Sequence, residues 1–271
     1  MDKNITPRRL SVSTWSLKRE LGTPDFYGIG EELPHASHRR DALLRLPAKL
    51  KNFGIDTVEI CHFHLPSYGD TYVQELRASL TESNIELWSF LVDDGDITHP
   101  ENGEHDMIQI GDWFAVAEKL GAKNVRVIAG KTRDDGALNR SRDALRVLDE
   151  TAQKHRLRLM TENWHGVLET PRDVSELLEK MDGTLGLCFD FGNWNGENKY
   201  CDLKEIAHLA ESCHAKAHFE GTHIDRKDYV HCLDILREAD FSGPYTLIFD
   251  GDGDEWRGLE IEMELVRPYL S

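Results

Sequence analysis

The sequence predicts a single (β/α)₈ barrel, or TIM barrel, over residues 1–271. Short β-prone runs alternate with longer amphipathic stretches, and the starts of successive runs lie 27 to 46 residues apart. A strand, a helix and their two loops need roughly 30 residues, so this spacing matches a repeated βαβ unit. No shift in composition divides the chain into two parts. Eight such units in succession are typical of a closed barrel.

An open, doubly wound sheet would have a similar length and a similar alternation of elements. Its dinucleotide-binding form carries the glycine pattern G-x-G-x-x-G after the first strand. The comparable stretch of this sequence, Gly28–Leu33, has a leucine at the place of the third glycine. The barrel is therefore the favoured prediction.

Eight runs rich in β-branched, aromatic and aliphatic residues are the predicted strands. They are Ser11–Ser16, Thr57–Cys61, Glu86–Val92, Asn124–Ile128, Leu157–Thr161, Gly186–Phe189, Cys213–Phe219 and Tyr245–Phe249. Between them, Gly54 and Gly121 stand where left-handed helix C-caps are expected, and Pro171 stands at a first-turn position. Pro47 predicts a kink or a late start of the first long helix. The gap after the first strand leaves room for a loop around residues 21–38 that could cover the barrel mouth.

The composition restricts the classes of function. Hydrophobic residues make up 39% of the chain and charged residues 30%, which indicates a soluble globular protein. The formal net charge of −17 repels phosphate backbones and anionic lipids, so we expect no nucleic-acid and no membrane partner. The five cysteines are odd in number and never spaced as C-x-x-C, which disfavours a disulfide framework and a zinc knuckle. Without an apolar signal segment at the start, a cytoplasmic location is expected.

Potential metal ligands occur at the last four predicted strands: Glu162, Asp190, His214 and Asp250. In a barrel, the carboxyl ends of the strands meet at one mouth, so these side chains should converge there. Three carboxylates and an imidazole would repel one another unless a cation lies between them. Such a donor set suits one divalent ion: Mn²⁺, Mg²⁺, Co²⁺ or Zn²⁺. Because His214 and His218 share a face by alternation, either could be the ligand from strand seven.

Four segments resemble the metal-site motifs of the sugar phosphate isomerase/epimerase family, which belongs to the xylose isomerase-like TIM barrels. They are ENWHG (162–166), DFGNW (190–194), HAK (214–216) and FDGDGDEW (249–256). The resemblance extends from SVSTW through IDTVEI to the last helix, and it implies that Glu162, Asp190, His214 and Asp250 hold one metal ion. Many family members have glutamate at the position of Asp250, so the shorter side chain changes the reach of that group.

The resemblance implies a metal-dependent isomerase or epimerase of carbohydrate metabolism, with a sugar or sugar phosphate as substrate. A divalent ion that binds the carbonyl and the neighbouring hydroxyl oxygen makes the adjacent C–H acidic and stabilises a cis-enediolate. Two flanking carboxylates can then move the proton. We expect Glu162 and Asp250 to be both ligands and acid–base groups.

Five further residues are candidate substrate contacts: His165, Lys216, Glu59, His62 and Trp15. His165 follows from the family resemblance, and Lys216 could hold an oxyanion or only balance the carboxylates. Glu59 and His62 could bind sugar hydroxyls, or could hydrogen-bond within the protein. The indole of Trp15 could pack on sugar C–H groups or simply belong to the core. A further polar residue, Arg126, is expected to point into the barrel and pair with a carboxylate.

Other functions on the same barrel are possible from sequence. A lyase, such as an inosose or dehydroshikimate dehydratase, would use the same metal chemistry to expel a hydroxyl group. A hydrolase resembling the AP endonucleases is less favoured, because its motif has histidine where this chain has Asn193. A non-catalytic sugar-binding barrel is a third alternative. The expected partner is a small carbohydrate, with a homo-oligomer as a further possibility.

Overall fold

Eight parallel strands close into a barrel in the computed structural model, which describes residues 8–22, 36–164, 166–221 and 223–271, without the side chains of 36–39. The barrel strands are β1 (Arg9–Ser13), β2 (Thr57–Cys61), β3 (Glu86–Val92), β4 (Asn124–Val127), β5 (Arg158–Glu162), β6 (Gly186–Asp190), β7 (Ala210–Lys216) and β8 (Pro244–Ile248). Each strand pairs with its neighbours in chain order, and β1 pairs with β8 to close the ring. The predicted barrel is therefore confirmed.

Helices surround the barrel and follow the strands in turn. In the described part of the chain they are α1 (Lys18–Leu21), α2 (Ala36–Phe53), α3 (Asp70–Glu82), α4 (Gly103–Leu120), α5 (Ala137–Lys154), α6 (Pro171–Lys180), α7 (Lys199–Ile206), α8 (Arg226–Glu238) and α9 (Glu255–Val266). A short antiparallel hairpin, Phe219–Glu220 with His223–Ile224, follows β7. None of the described helices has both the length and the apolar character needed to cross a membrane.

Most predicted strand boundaries agree with the structure to within two residues, and β2 and β3 agree fully. The seventh strand differs most, because it begins at Ala210 and ends at Lys216. His218 therefore lies beyond the strand and is exposed, so it no longer shares the inward face with His214. Most of the predicted loop around residues 21–38 lies outside the described residues.

Helix ends follow the expected local chemistry. Pro171 occupies the first turn of α6, and the hydroxyl of Thr170 accepts a hydrogen bond from the Asp173 N–H, as an N-cap does. Gly121 ends α4 in the left-handed conformation with φ of 86°. Pro47 lies within α2, which continues through it, so the predicted late start of this helix is wrong.

The chain ends are tied together beside the barrel mouth. The Glu255 carboxylate at the start of α9 accepts hydrogen bonds from the backbone N–H groups of Arg19 (2.7 Å) and Glu20 (3.3 Å) in α1. Gly258 lets α9 approach β8 closely, because a Cβ atom there would lie 2.2 Å from the Phe249 ring. These contacts fix the segment after β8 and the segment after β1 relative to each other.

One carboxylate in the helical layer is buried without a partner. Glu262 of α9 is 0% exposed, and neither of its carboxylate oxygens accepts a hydrogen bond from the described residues. Burial raises the pKa of Glu262 well above its usual value, because the apolar surroundings disfavour the charged form.

Glu262 should lower the stability of the protein as the pH rises. The folded state keeps a proton that the unfolded state releases above about pH 4.5, so stability falls by up to about 1.4 kcal/mol per pH unit. The Glu262→Gln variant cannot release this proton. The difference in the free energy of unfolding between the variant and the wild type should therefore grow in favour of the variant as the pH rises, and should be constant below about pH 4. Urea unfolding over this range measures the effect.

The matched control is Glu264→Gln, on the exposed side of the same helix. The free energy of unfolding of this variant should change with pH as that of the wild type does. Parallel stability curves for the wild type and Glu262→Gln would contradict the prediction.

Candidate active site at the barrel mouth

A polar cavity opens at the carboxyl ends of the barrel strands. All eight strands contribute to its lining, through residues near their carboxyl ends or just after them. The lining residues are Ser13, Trp15, Cys61, Leu91, Asp93, Arg126, Glu162, Trp164, Asp190, Asn193, His214, Lys216 and Ile248. The innermost space measures about 40 Å³, which is enough for an ion and a water molecule.

Three of the four predicted metal ligands meet at the centre of this cavity. His214 Nδ1 lies 3.2 Å from Glu162 Oε2 and 3.6 Å from Asp190 Oδ2. The three side chains come from the adjacent strands β5, β6 and β7, and Asp190 is in register with His214. All three are nearly fully buried. The structure thus brings together residues that lie far apart along the chain.

The other ring nitrogen of His214 contacts a residue from across the barrel. Its Nε2 lies 2.7 Å from Oε2 of Glu59 in β2. The Glu59 side chain is only 1% exposed. Glu59 is not among the residues that line the cavity, and its carboxylate already has a protein partner. A contact between Glu59 and substrate stays a prediction.

Glu162 is surrounded by hydrogen-bond donors and cations. Asn193 Nδ2 donates to its Oε1 at 2.6 Å, and Arg126 Nε lies 3.3 Å from its Oε2. Arg126 also forms a close ion pair with Asp93, which confirms that this arginine points into the barrel and pairs with carboxylates. Burial opposes the charged form of Glu162, but His214 and Arg126 outweigh it and hold the pKa of this carboxyl well below its usual value.

Asp190 is held by backbone groups on one side and faces the cluster on the other. Its Oδ1 accepts hydrogen bonds from the N–H groups of Gly192 (2.6 Å) and Asn193 (2.9 Å). The Asn163 side chain binds both the N–H and the carbonyl of Asp190. Burial and the charge of Glu162 raise the pKa of Asp190, so two adjacent carboxyls shift in opposite directions.

The pKa of His214 is set by opposing effects of burial and of the surrounding carboxylates. Burial favours the neutral imidazole, but the carboxylates of Glu162 and Glu59 and the hydrogen bond with Asp190 raise its pKa well above the usual value.

Among the described residues, Glu162, Cys188 and His214 have potential ligand atoms that all lie within 4.8 Å of one another, as the ligands of one ion must. Metal–oxygen bonds of 2.0–2.1 Å in an octahedron place neighbouring ligand atoms about 3 Å apart. The 3.2 Å between His214 Nδ1 and Glu162 Oε2 is close to this value, and Asp190 Oδ2 lies 3.6 Å from the same nitrogen. Glu162 Oε2 is also buried without a well-aligned hydrogen bond from any described residue.

The charges also favour a cation. Four buried carboxylates, those of Glu59, Asp93, Glu162 and Asp190, border the cluster. Arg126 and Lys216 face these carboxylates, and Lys131 Nζ donates a hydrogen bond to the backbone carbonyl of Asp93. A divalent ion beside a neutral His214 would balance this excess of negative charge.

Asp250, the fourth predicted ligand, lies at the rim instead. Its carboxylate binds Lys18 Nζ at 3.0 Å and Lys216 Nζ at 3.3 Å, and it is 31% exposed. The inward residue of β8 that lines the cavity is Ile248, in register with Lys216. Both lysines lower the pKa of Asp250 against the opposing effect of burial. Metal ligation by Asp250 stays a prediction, and it would require the carboxylate to leave both lysines.

The remaining candidates fall into three groups. Trp15 and Lys216 line the cavity, as a substrate contact must. His62 does not: it is 5% exposed, packs against Phe63 and Trp113, and its Nδ1 accepts the Asp93 N–H at 3.3 Å. His62 therefore hydrogen-bonds within the protein, which is the alternative that the sequence left open, and its contact with substrate stays a prediction. His165 lies outside the described residues.

Sequence reasoning missed some of the residues that form this site. Asp93 follows the apolar run of β3 directly, which is the same signal that singled out Asp190. Cys188 has the inward phase of Asp190, two residues earlier in β6. Asn193 was read only as the absence of a histidine, although its amide binds Glu162. Asn193 thus donates a hydrogen bond at the position where the AP endonuclease motif has a histidine, which agrees with the lower preference for a nuclease.

A larger cavity, of about 710 Å³, lies at the opposite end of the barrel. It is bordered by the Arg158–Glu211 ion pair, His208 and the loops that precede the strands. Among the described residues it holds no cluster of potential metal ligands. The chemistry is therefore assigned to the carboxyl ends of the strands, as is usual for this fold.

Comparison with known proteins places the chain among similar barrels. A xylose isomerase-like TIM barrel protein from Mycobacterium smegmatis, solved in complex with magnesium, gives a TM-score of 0.68 at 16% identity, over 97% of this chain and 98% of that one. The apo form of 3-keto-D-glucoside 4-epimerase from E. coli gives a TM-score of 0.66 at 16% identity, over 97% of this chain and 99% of that one.

D-Psicose 3-epimerase from Clostridium cellulolyticum H10, solved with D-tagatose, gives a TM-score of 0.68 at 15% identity, over 93% of this chain and 89% of that one. At these identities the likeness shows a shared fold. No curated protein matches the sequence. The sequence does match the family model of the xylose isomerase-like TIM barrel over residues 47–268. The chain therefore belongs to the xylose isomerase-like TIM barrel family.

Proposed function

We propose that this protein is a metal-dependent isomerase or epimerase that acts on a sugar or sugar phosphate with a carbonyl next to a hydroxyl-bearing carbon. The observation that carries the proposal is the buried cluster of Glu162, Asp190 and His214, which borders the Lys216 ammonium. The resemblance in fold to 3-keto-D-glucoside 4-epimerase and D-psicose 3-epimerase supports the same class of substrate.

Glu162, Asp190 and His214 would hold the divalent ion, with Asp250 as a further ligand only if it leaves its lysines. When bound, the ion would polarise the substrate carbonyl and stabilise the negative charge of an enediolate. The Mycobacterium smegmatis protein, which has the same fold, was solved in complex with magnesium, and this supports the proposal of a divalent ion.

Glu162 is the proposed proton acceptor. It is ionised at neutral pH, and Asn193 and Arg126 fix the direction of its carboxylate. A carboxylate held in one orientation within a buried cavity can remove the proton from the carbon next to the carbonyl. Trp15 and Trp164 border the cavity, and their indoles would exclude water from the substrate.

Lys216 is the proposed electrostatic partner of the substrate oxygen. Burial lowers the pKa of this lysine, but Asp190 and Asp250 outweigh the effect and raise it, so the ammonium is charged at neutral pH. A fixed cation can stabilise an enediolate oxygen as charge develops. Asp250 would then hold Lys216 toward the cavity.

A specific observation keeps the lyase as a second candidate. At β8 the cavity is lined by Ile248, and Asp250 is bound to lysines, so Glu162 has no free carboxylate partner from that strand. Epimerisation by two bases needs an acceptor on each face of the substrate. Glu162 as the single base, together with the Lys216 ammonium as a cationic acid, is sufficient for isomerisation on one face of the substrate. The same pair is also sufficient for the loss of a hydroxyl group.

Metal binding is the first test of the proposal. We expect the wild-type protein to bind one Mn²⁺ per chain in isothermal titration calorimetry. His214→Ala should weaken this binding about 10-fold or more, because each protein ligand contributes directly to the affinity. Glu264→Gln, on the exposed side of α9, is the control and should bind as the wild type does. Absence of Mn²⁺ binding by the wild type would favour the non-catalytic binding barrel.

The second test follows proton exchange. D-Fructose, D-tagatose and D-psicose are incubated with the Mn²⁺-loaded enzyme in D₂O, and proton NMR measures the loss of C–H signals. We expect exchange with at least one ketose, and Glu162→Gln should slow it by about 10²–10⁴-fold, because the general base is lost.

Asp250→Asn should slow the same exchange by less than Glu162→Gln does, because Asp250 acts through Lys216. An equal loss in both variants would assign Asp250 a direct role as the second acid–base group. Full activity of Glu162→Gln would contradict the assignment of the base.

Product analysis separates the two candidate functions. Mass spectrometry of the exchange mixture should show products of unchanged mass apart from deuterium, as isomerisation and epimerisation require. A product that has lost one water molecule would instead establish the lyase.

A further inference from the structure

We infer that Glu59 is a positioning residue that fixes the ring of His214 so that its Nδ1 faces Glu162 and Asp190. This inference rests on the proposed metal-dependent function and assigns a role to a residue that does not line the cavity. The single contact that carries it is the 2.7 Å hydrogen bond between Glu59 Oε2 and His214 Nε2.

The contact joins opposite parts of the barrel. Glu59 lies in β2 and His214 in β7, and the two residues are 155 positions apart in sequence. The Glu59 side chain is 1% exposed and that of His214 is 5% exposed, so both partners are shielded from bulk water. Among the described residues, the second oxygen of Glu59 accepts no hydrogen bond. The imidazole is therefore the main partner of this carboxylate.

A histidine ring has two nitrogens, and only one can face the cluster. A carboxylate at Nε2 requires a proton on that nitrogen, which leaves the lone pair of Nδ1 for a metal ion. The same hydrogen bond prevents a ring flip that would exchange the two nitrogens. Carboxylates that accept the remote N–H of a metal-bound histidine commonly set both the tautomer and the ring direction.

Burial of the Glu59 carboxylate destabilises the fold, so we expect the residue to have a function that offsets this loss. A buried carboxylate must be desolvated, and one oxygen here stays without a partner. A methionine would fill a similar volume in the barrel interior without that cost. The neighbours of Glu59 in register are Ser13 and Ser89, which supply no opposite charge. The geometry therefore indicates that the Glu59 carboxylate acts on the His214 ring.

Glu59→Gln and Glu59→Met test the inference through metal affinity. Isothermal titration calorimetry with Mn²⁺ at about pH 7.5 should show a dissociation constant about 10- to 100-fold higher than that of the wild type, the usual effect of losing such a partner. The matched control is Glu262→Gln, which changes another fully buried glutamate outside the site and should leave the Mn²⁺ affinity unchanged.

Two further measurements separate positioning from folding. Thermal melts of the metal-free proteins by circular dichroism should show that both Glu59 variants are folded. In the Zn²⁺-loaded wild type, ¹⁵N NMR of the histidine rings should show His214 with a protonated Nε2 and a metal-bound Nδ1. Coordination through Nε2 would overturn the inference.

The outcomes distinguish this inference from the proposed function. If the wild type binds Mn²⁺ and the folded Glu59 variants bind it equally well, the positioning role is overturned while the metal site stands. If the wild type binds neither Mn²⁺ nor Zn²⁺, the proposed function fails and the role of Glu59 falls with it.

Discussion

Four carboxylates buried within one barrel repel one another, and the rest of the site is arranged around that repulsion. Arg126 lies between Asp93 and Glu162, His214 contacts three acidic side chains, and Lys216 lies between the cluster and the rim. In a medium of low dielectric constant, uncompensated charges of one sign would cost several kcal/mol each. Arg126, Lys216 and His214, whose pKa the surrounding carboxylates raise, offset part of this repulsion. A divalent ion at the cluster would offset more of it.

The sequence was a good guide to the barrel and to the residues that lie at strand ends. Each of Glu162, Asp190 and His214 falls in or just after an apolar run, and the parallel topology brings such positions to one mouth. Contacts across the barrel could not be derived in this way. Whether Glu59 meets His214 depends on the stagger of β2 against β7, which periodicity does not encode.

The positions of two predicted site residues depend on local conformations that the sequence does not reveal. His62 was a candidate for binding sugar hydroxyls, and it lies in a 3₁₀ turn, His62–His64, in which its side chain is buried. Asp250 is the predicted fourth ligand, and the sequence did not reveal that Lys18, at the start of α1, reaches the same rim. In both cases the loop conformation after a strand decides where the side chain points, and loops are the least predictable part of a barrel.

The hydrogen bonds between Glu255 and α1 have a consequence for how the protein matures. Lys18 follows β1, whereas Asp250 and Glu255 follow β8, so the rim of the cavity is formed by segments more than 230 residues apart. Bringing such distant segments together carries the largest entropic cost of chain closure. A nascent chain therefore has no complete rim until its final strand–helix unit has been synthesised and has docked beside its first.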